Sequence, residues 1–383
     1  MPDELTSRLG PAGDAAAPAP PIAPPAAPAM AAAPSEEDGS RPPRRPSWLR
    51  AAIISLVIIL AGGALGAAAY RLERTYSVQP SAIEKTTDGW TITGQPGRVF
   101  SGVALNGPRL IWQDGASIDY VQLGEGTVRL LGPGPGMRTT WDPAIGERYA
   151  IWFEAERQES LAAQAVAYDT QSGRRWTLGD VGSVYSNPAI SGDLAVWCSA
   201  SRLGEPAIWG ARIFGKWGFP IAAQPGAPVV SGGLVVWSHS WTGPFTAEEL
   251  GSGTSWAVTA DLTGDRLSSI ALAGRTLVWG QGSETPGAGM VAAVSVDGGG
   301  TTKLATGLSG LAGPAYDGRT VVWGEKTASG SRIMGRRLGS TPAAFLIATV
   351  AGDVKEVAVS GDSVAWIVSS DGTYSIVTSS LAR

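Results

Sequence analysis

Five glutamates in two short segments are the side chains of this sequence best suited to acid–base chemistry. Glu154, Glu156 and Glu159 follow one tryptophan, and Glu248 and Glu249 follow another. Most glycosidases cleave a glycosidic bond with two carboxyl groups that flank it. The spacing therefore permits a polysaccharide hydrolase or lyase. Charged loop residues are also the ordinary surface of a soluble domain, and solvation is their default role.

The other groups that could do chemistry are scarce. His239 is the single histidine of the chain, and no Gly-x-Ser-x-Gly segment provides a nucleophile for it, so we expect a solvated histidine. Cys198 is the single cysteine, which excludes an intrachain disulfide and a multi-cysteine zinc site. We expect Cys198 to be a small buried side chain. The aspartates lack the spacing of a calcium loop. The sequence thus predicts no catalytic residue, metal or cofactor.

Binding is the alternative use of the same segments. Trp241 and Phe245 lie close to Glu248 and Glu249 in the chain, and aromatic side chains beside acids are suitable anchors for a protein or a glycan. We predict long loops after Trp152 and Trp237 that emerge on one face of the domain. The predicted recognition residues are Trp241, Phe245, Glu248, Glu249, Glu154 and Glu156.

These segments belong to a repeat that ends on tryptophan and occurs seven times. Successive tryptophans are 40 to 45 residues apart, the period of a four-stranded propeller blade. The two residues before each tryptophan are apolar, which indicates a strand covered on both faces. We therefore predict that the tryptophans pack blade against blade. They are Trp112, Trp152, Trp197, Trp237, Trp279, Trp323 and Trp366.

Turn residues complete each unit. Six units have glycine five residues before the tryptophan, and Asn106-Gly107 predicts a type I′ hairpin turn. A second hairpin follows in most units, as in 165–178 and 291–304, so that a unit holds four strands. The fourth unit is the poorest, because 265–269 leaves little room for its last strand.

The last unit ends after a third strand at 374–378, and 89–93 can supply its fourth strand. Pairing the two ends closes a ring and removes exposed sheet edges, which supports seven blades and a complete domain. The Pro-x-x-x-Gly-x-x-x-x-Trp units, such as 188–197 and 314–323, resemble those of bacterial extracytoplasmic β-propellers of the TolB-like superfamily. That resemblance covers 88–383 and implies a scaffold or binding platform, without assigning functional residues.

The segments before the propeller predict a membrane anchor. Residues 1–47 are rich in alanine and proline, which predicts a disordered tail that serves as a spacer or as a docking segment. Within 48–70, residues 51–70 carry no charge and are long enough to span a membrane. Arginines precede this run, so the tail is predicted in the cytoplasm and the propeller outside. Residues 71–87 are predicted to be a linker.

The charge of the chain and its predicted membrane topology indicate which partners it can bind. The formal net charge is −4, with no basic block in the repeats, which argues against nucleic-acid binding. Gly62 and Gly66 could pack two membrane helices together in a homodimer. We interpret the protein as an all-β, seven-bladed propeller that binds a protein or glycan at the plasma membrane. A hydrolase or lyase, or a purely structural propeller, are the alternatives.

Overall fold

The structure is a computed structural model, and it describes residues 82–157, 162–200, 204–215, 218–240, 242–282, 285–339 and 343–381. These residues contain strands and no helix. Blades 1 to 3 are formed by β3 Phe100–Asn106, β4 Arg109–Asp114, β5 Ser117–Gln122, β6 Val128–Gly132; β7 Thr139–Ile145, β8 Tyr149–Ala155, β9 Ala163–Asp169, β10 Arg175–Gly182; β11 Ala189–Ser191, β12 Leu194–Ala200, β13 Pro206–Arg212 and β14 Phe219–Ala222.

Blades 4 to 6 have the same four-stranded form. Their strands are β15 Ala227–Ser231, β16 Leu234–Ser238, β17 Phe245–Glu249, β18 Thr254–Val258; β19 Arg266–Ala273, β20 Thr276–Gly282, β21 Gly289–Ser295, β22 Thr302–Leu308; β23 Ala312–Tyr316, β24 Thr320–Thr327, β25 Gly330–Arg337 and β26 Phe345–Val350. The last blade combines β1 Ala82–Lys85, β2 Gly89–Thr93, β27 Asp353–Ser360, β28 Ser363–Ser370 and β29 Thr373–Ser380.

Each of blades 1 to 6 is an antiparallel meander whose neighbouring strands are hydrogen-bonded in chain order, and the last blade has the order β1-β2-β29-β28-β27. The strands alternate in direction, so the connections emerge at two opposite faces. We call the loop face the one that carries the connections from second to third strands and from one blade to the next. The turn face carries the connections from first to second and from third to fourth strands. Side chains on opposite faces of the propeller are too far apart to form one site.

The two ends of the propeller pair in one blade, as the sequence predicted. β2 lies antiparallel to β29, with Gly89 opposite Ser379 and Thr93 opposite Ser375. Ile92 of β2 is fully buried. The sheet also has a fifth strand, β1, which pairs with β2 and lies within the segment predicted to be a linker. The closing blade therefore contains two strands, β1 and β2, from the amino-terminal end of the propeller.

The seven repeated tryptophans lie in the second strands and are at most 4% exposed. Each one packs against the preceding blade. Trp152 clusters with Ile111 and Tyr120 of blade 1, and Trp366 clusters with Val322 and Ile333 of blade 6. The tryptophans consequently fill the seams between blades, where burial of a large apolar side chain stabilises the ring.

The glycine before the second strand has positive φ in six of the seven blades, but the turn type at Asn106-Gly107 differs from the prediction. Gly107 has φ of +56° and is followed by Pro108, whose ring fixes a negative φ. A type I′ turn needs positive φ at both central positions, so the prediction of type I′ at Asn106-Gly107 is wrong. Glycine at the first central position alone is the type II′ arrangement.

Blade 4 also departs from the sequence prediction. Its fourth strand is β18, well before 265–269, and Arg266–Ala273 is the first strand of blade 5. Its third strand is Phe245–Glu249, which the sequence placed in a long loop. The prediction failed because two glutamates, which have low strand propensity, end this short strand.

Side chains at the ends of first strands join neighbouring blades at the turn face. The hydroxyl of Ser231 accepts a hydrogen bond from the Gly274 N–H of the next blade, at 2.8 Å. Ser191 accepts from Gly232, and Ser360 accepts from Gly107, each at 2.9 Å. The repeated glycine therefore has two roles, since it forms the turn and also donates to the preceding blade.

Replacing Ser231 with alanine is expected to lower the free energy of unfolding by about 1 kcal/mol, because one hydrogen bond between blades is lost. Urea denaturation would measure the change. Ser255→Ala on the outer strand β18 is the control and should be close to neutral. Equal stability of the two variants would show that the bond between blades contributes nothing.

No helix among the described residues is long and apolar enough to cross a membrane. The apolar run 51–70, the tail 1–47 and the packing glycines Gly62 and Gly66 lie outside the described residues. Membrane insertion and helix-mediated dimerisation therefore stay predictions from the sequence.

Candidate functional site

The glutamates singled out from the sequence in blade 2 and in blade 4 lie on opposite faces of the propeller. Glu154 is near the end of β8, a second strand, and so lies at the loop face. Glu248 is near the end of β17, where it pairs with Val235 at the start of β16, and so lies at the turn face. The prediction that the two groups of glutamates share one face is wrong, because the acids of blade 4 are in the third strand. Glu154 and Glu248 therefore cannot form one catalytic pocket.

Phe245 and Glu249, two further recognition residues predicted for blade 4, lie in strand β17 and not in an exposed loop. Phe245 is fully buried and contacts the Trp279 ring at a centroid distance of 5.7 Å, so its prediction as an exposed anchor is wrong. Glu249 pairs with Arg275 at 3.0 Å. Burial raises the pKa of the half-buried Glu248. Trp241 lies outside the described residues.

Glu154 is a buried partner in a structural ion pair rather than a loop residue. Its side chain is fully buried and bonds the guanidinium of Arg175, the indole N–H of Trp152 at 2.7 Å and the Gly134 N–H at 3.0 Å. The backbone of Gly132 and Gly134 lies so close that a β-carbon at either residue would collide with this cluster. Every acceptor position of Glu154 is therefore directed at the protein itself.

The position of Glu154 belongs to a repeat that the sequence analysis missed. The second residue after the tryptophan is polar in six of the seven blades and lies at the loop-face end of the seam. These residues are Asp114, Glu154, Ser199, His239, Gln281 and Glu325. Glu325 pairs with Arg332 at 2.5 Å, and Ser199 accepts from the Trp197 indole at 3.2 Å. A tryptophan followed after one residue by a polar residue was the available signal.

Three further carboxyl groups have raised pKa values that the sequence did not indicate. Burial and the nearby charge of Asp114 raise the pKa of Asp119 to about 7. Burial also raises the pKa of Asp142 and that of Glu356, which lie on the first strands of blades 2 and 7. Glu356 accepts a 2.9 Å hydrogen bond from the Val103 N–H, which joins blade 7 to blade 1. Glu356 therefore links the first strands of blades 7 and 1 by a hydrogen bond.

A cavity of about 320 Å³ opens on the loop face between blades 3 and 4. Its walls are Tyr185, Pro206, Pro225, Ala227, His239 and Ser240, together with neighbouring backbone. The lining is mostly apolar and includes a histidine and hydroxyl groups. This is the size and composition of a pocket that receives one small ligand or one large side chain.

Hydrogen bonds to the strands of blades 3 and 4 fix the wall residues of this cavity. The Tyr185 N–H donates to the Cys198 carbonyl at 2.9 Å, and this leaves the tyrosine side chain half exposed. The His239 ring bonds the Thr246 hydroxyl at 2.5 Å and lies over Trp237, at a centroid distance of 6.4 Å. His239 is thus half-buried and bonded, which differs from the predicted solvated histidine.

Cys198 lies in the blade below the cavity. It is fully buried, as predicted, and burial raises the pKa of its thiol. A thiol with a raised pKa is a poor nucleophile near neutral pH. No group of three or more histidine, cysteine or acidic residues within the described segments could hold a metal ion. The mostly apolar lining of the cavity suits binding by shape and apolar contact.

The fold and this cavity define a seven-bladed β-propeller with a recessed pocket on its loop face. Among solved structures, the chain is similar to a prolyl endopeptidase, with 14% identity and a TM-score of 0.58 over 75% of this chain and 47% of that chain. It is also similar to oligogalacturonate lyase in complex with manganese, with 12% identity and a TM-score of 0.58 over 79% and 97% of the two chains.

TolB from Acinetobacter baumannii is a third neighbour, with 12% identity and a TM-score of 0.44 over 78% of each chain. The predicted β-propeller fold is confirmed by the seven sheets of the structure itself. The chain spans about half the length of the endopeptidase it resembles. No protein-family model matches the sequence, and no curated protein matches it either. At these identities the similarities show the fold alone.

Proposed function

We propose that this protein is a membrane-anchored, extracytoplasmic binding platform that holds a partner protein of the cell envelope on its loop face. The observation that carries the proposal is the apolar cavity between blades 3 and 4. Its half-exposed Tyr185 and its two prolines offer a rigid apolar surface, which is what an interface anchor needs. One large apolar side chain of the partner would fill the cavity.

The membrane anchor in this proposal comes from the sequence. Residues 51–70 are uncharged and long enough to cross the hydrocarbon core, and the arginines before them favour a cytoplasmic amino terminus. A propeller placed outside the cytoplasm would present its loop face to envelope proteins. The proline-rich tail is then the cytoplasmic part of the same chain.

Site-specific photo-crosslinking from position 185 tests the platform. A photoreactive phenylalanine derivative at Tyr185 in the full-length, membrane-inserted chain is expected to yield one crosslinked species that contains an envelope protein. The matched control is the same derivative at Phe214, which is 64% exposed but lies at the turn face. Crosslinking of the same protein from both positions, or from neither, would contradict the proposed loop-face site.

The crosslinked partner also allows an affinity measurement. Tyr185→Ala is expected to weaken binding of that partner at least tenfold, because truncation of an aromatic anchor that the partner buries removes more than about 1.4 kcal/mol. Calorimetric titration with the purified partner would give the dissociation constant. Phe214→Ala, on the other face, should leave it unchanged. Equal affinities of the wild type and Tyr185→Ala would exclude the cavity as the main contact.

A further inference from the structure

A second concave surface lies on the turn face, where blade 1 meets the closing blade. This groove has a volume of about 500 Å³ and is distinct from the loop-face cavity. Turns of both blades and the end of β29 form its walls. The residues that matter for its chemistry are Asp88, Trp90, Pro108, Leu123, Asp362 and Ser379. All of them lie within the described segments.

Trp90 forms the aromatic wall of this groove. Its backbone N–H donates to the Thr378 hydroxyl at 2.9 Å, which ties the residue to β29. The far edge of its indole lies beside Gly126 of blade 1, within 3.8 Å of the place where a β-carbon would be. The indole is only partly buried. A flat apolar surface is thus held in a fixed position at a solvent-accessible seam.

Polar acceptors also line the groove. The Asp362 carboxylate is 64% exposed, and its ion pair with Arg319 is long, at 3.9 Å. Such a pair contributes little and leaves the carboxylate oxygens accessible to a ligand. Serine hydroxyls, including that of Ser379, lie beside it. The groove therefore combines one aromatic face with several hydroxyl and carboxylate acceptors.

The geometry points to a sugar-binding site, and we propose that this groove binds a neutral hexose unit of a glycan. A pyranose ring has an apolar face of C–H groups that packs on an indole, and it has hydroxyl groups that donate to carboxylates. Asp88 and Asp362 make the groove acidic, although the Lys85 ammonium lies over the Trp90 ring, at 5.9 Å from its centroid. Repulsion by these carboxylates disfavours polymers of uronic acids.

Occupation of the groove would also stabilise the closure of the ring. Its walls come from β2, β29 and blade 1, so a bound sugar contacts the amino-terminal strand and both of its neighbours at once. A ligand that binds only the closed ring stabilises that state by mass action. Binding is therefore expected to slow amide hydrogen exchange in Gly89–Thr93. This inference is independent of the loop-face site because the two lie on opposite faces.

The test is calorimetric titration of the full-length chain in a detergent without a sugar headgroup. The probes are cellohexaose, maltohexaose and chitohexaose, with an oligogalacturonate of similar length as the acidic probe. We expect at least one neutral oligosaccharide to bind with a millimolar or lower dissociation constant. We expect the oligogalacturonate to bind at least tenfold more weakly.

Variants decide whether the groove is the site. Trp90→Ala and Asp362→Asn are each expected to weaken the neutral sugar at least fivefold, and Trp90→Phe should retain part of the affinity. The matched control is Trp176→Ala, which removes another partly exposed tryptophan of the turn face, on blade 2. Asp362 is on the surface, so its replacement leaves the fold unchanged. The inference is overturned by binding that survives Trp90→Ala and Asp362→Asn, by preference for the acidic probe, or by no binding of any neutral probe at 10 mM.

Discussion

Replacing Arg175 with methionine is expected to lower the free energy of unfolding by about 3–5 kcal/mol, because it leaves the Glu154 carboxylate buried without its counter-charge. Glu154 is fully enclosed, and the remaining donors are the Trp152 indole and one backbone N–H. These two hydrogen bonds cannot replace the full charge of a guanidinium. Chemical denaturation at pH 7 would measure the loss.

Two further variants separate burial from simple loss of a salt bridge. Arg212→Met breaks an ion pair with Asp193 whose two side chains are about half exposed, and such pairs contribute at most about 1 kcal/mol. The double variant Arg175→Met, Glu154→Gln removes the buried charge and should recover most of the stability lost in Arg175→Met. If Arg175→Met and Arg212→Met are equally stable, the buried Glu154 carboxylate does not require the charge of Arg175 to keep the protein folded.

The architecture could be predicted from the sequence because its signal is repeated seven times. A tryptophan every 40 to 45 residues, preceded by an apolar strand and a glycine turn, identifies both the fold and the number of blades. The closing strand Gly89–Thr93 followed from the missing strand of the last unit. β1 has no such signal, since Ala82–Lys85 is short and mostly exposed and pairs only with β2.

The candidate sites could not be predicted in the same way. Tyr185, Pro206, Pro225 and His239 come from two neighbouring blades and meet only because the ring places them side by side. Trp90 lies more than 250 residues from Asp362 in the sequence, and closure of the ring brings both to one groove. Single residues of this kind do not repeat from blade to blade, so periodicity gives no information about them.

The glutamates show how local appearance misled the functional prediction. Glu248 and Glu249 resemble loop residues, but they end a strand whose buried positions are Phe245 and Ala247. Glu154 looks like a surface acid, but it occupies the polar position that recurs after the tryptophans. Comparison of that position across all blades would have indicated a structural role.

Asp119 makes stability depend on pH in a direction opposite to that of most carboxylates. The residue is 6% exposed in β5, and burial beside Asp114 raises its pKa to about 7, from an ordinary value near 3.8. The folded protein therefore holds a proton on Asp119 between about pH 4 and pH 7, where the unfolded chain has released it. By linkage, this residue contributes its full stability below about pH 4, and that contribution is lost as pH rises through 7.

Asp119→Asn removes this penalty, since the amide carries no charge at any pH. Relative to the wild type, the variant is expected to gain on the order of 2–4 kcal/mol of unfolding free energy at pH 8 and almost nothing at pH 4. Urea denaturation at half-unit intervals from pH 4 to pH 8 would trace the difference. The gain should grow steadily between pH 4 and pH 7 and then level off.

Asp169→Asn provides the control of opposite sign. The hydrogen bonds of Arg148 hold the pKa of Asp169 well below its usual range, so this carboxylate stabilises the fold above about pH 4. Its replacement should destabilise the protein at pH 7, and the loss should shrink as the solution is acidified below pH 4. If the Asp119→Asn difference is the same at pH 4 and pH 8, the carboxyl group of Asp119 is not protonated in the folded protein at neutral pH. The charge of Asp114 would then be balanced at that site by Arg98, which lies 3.3 Å from it.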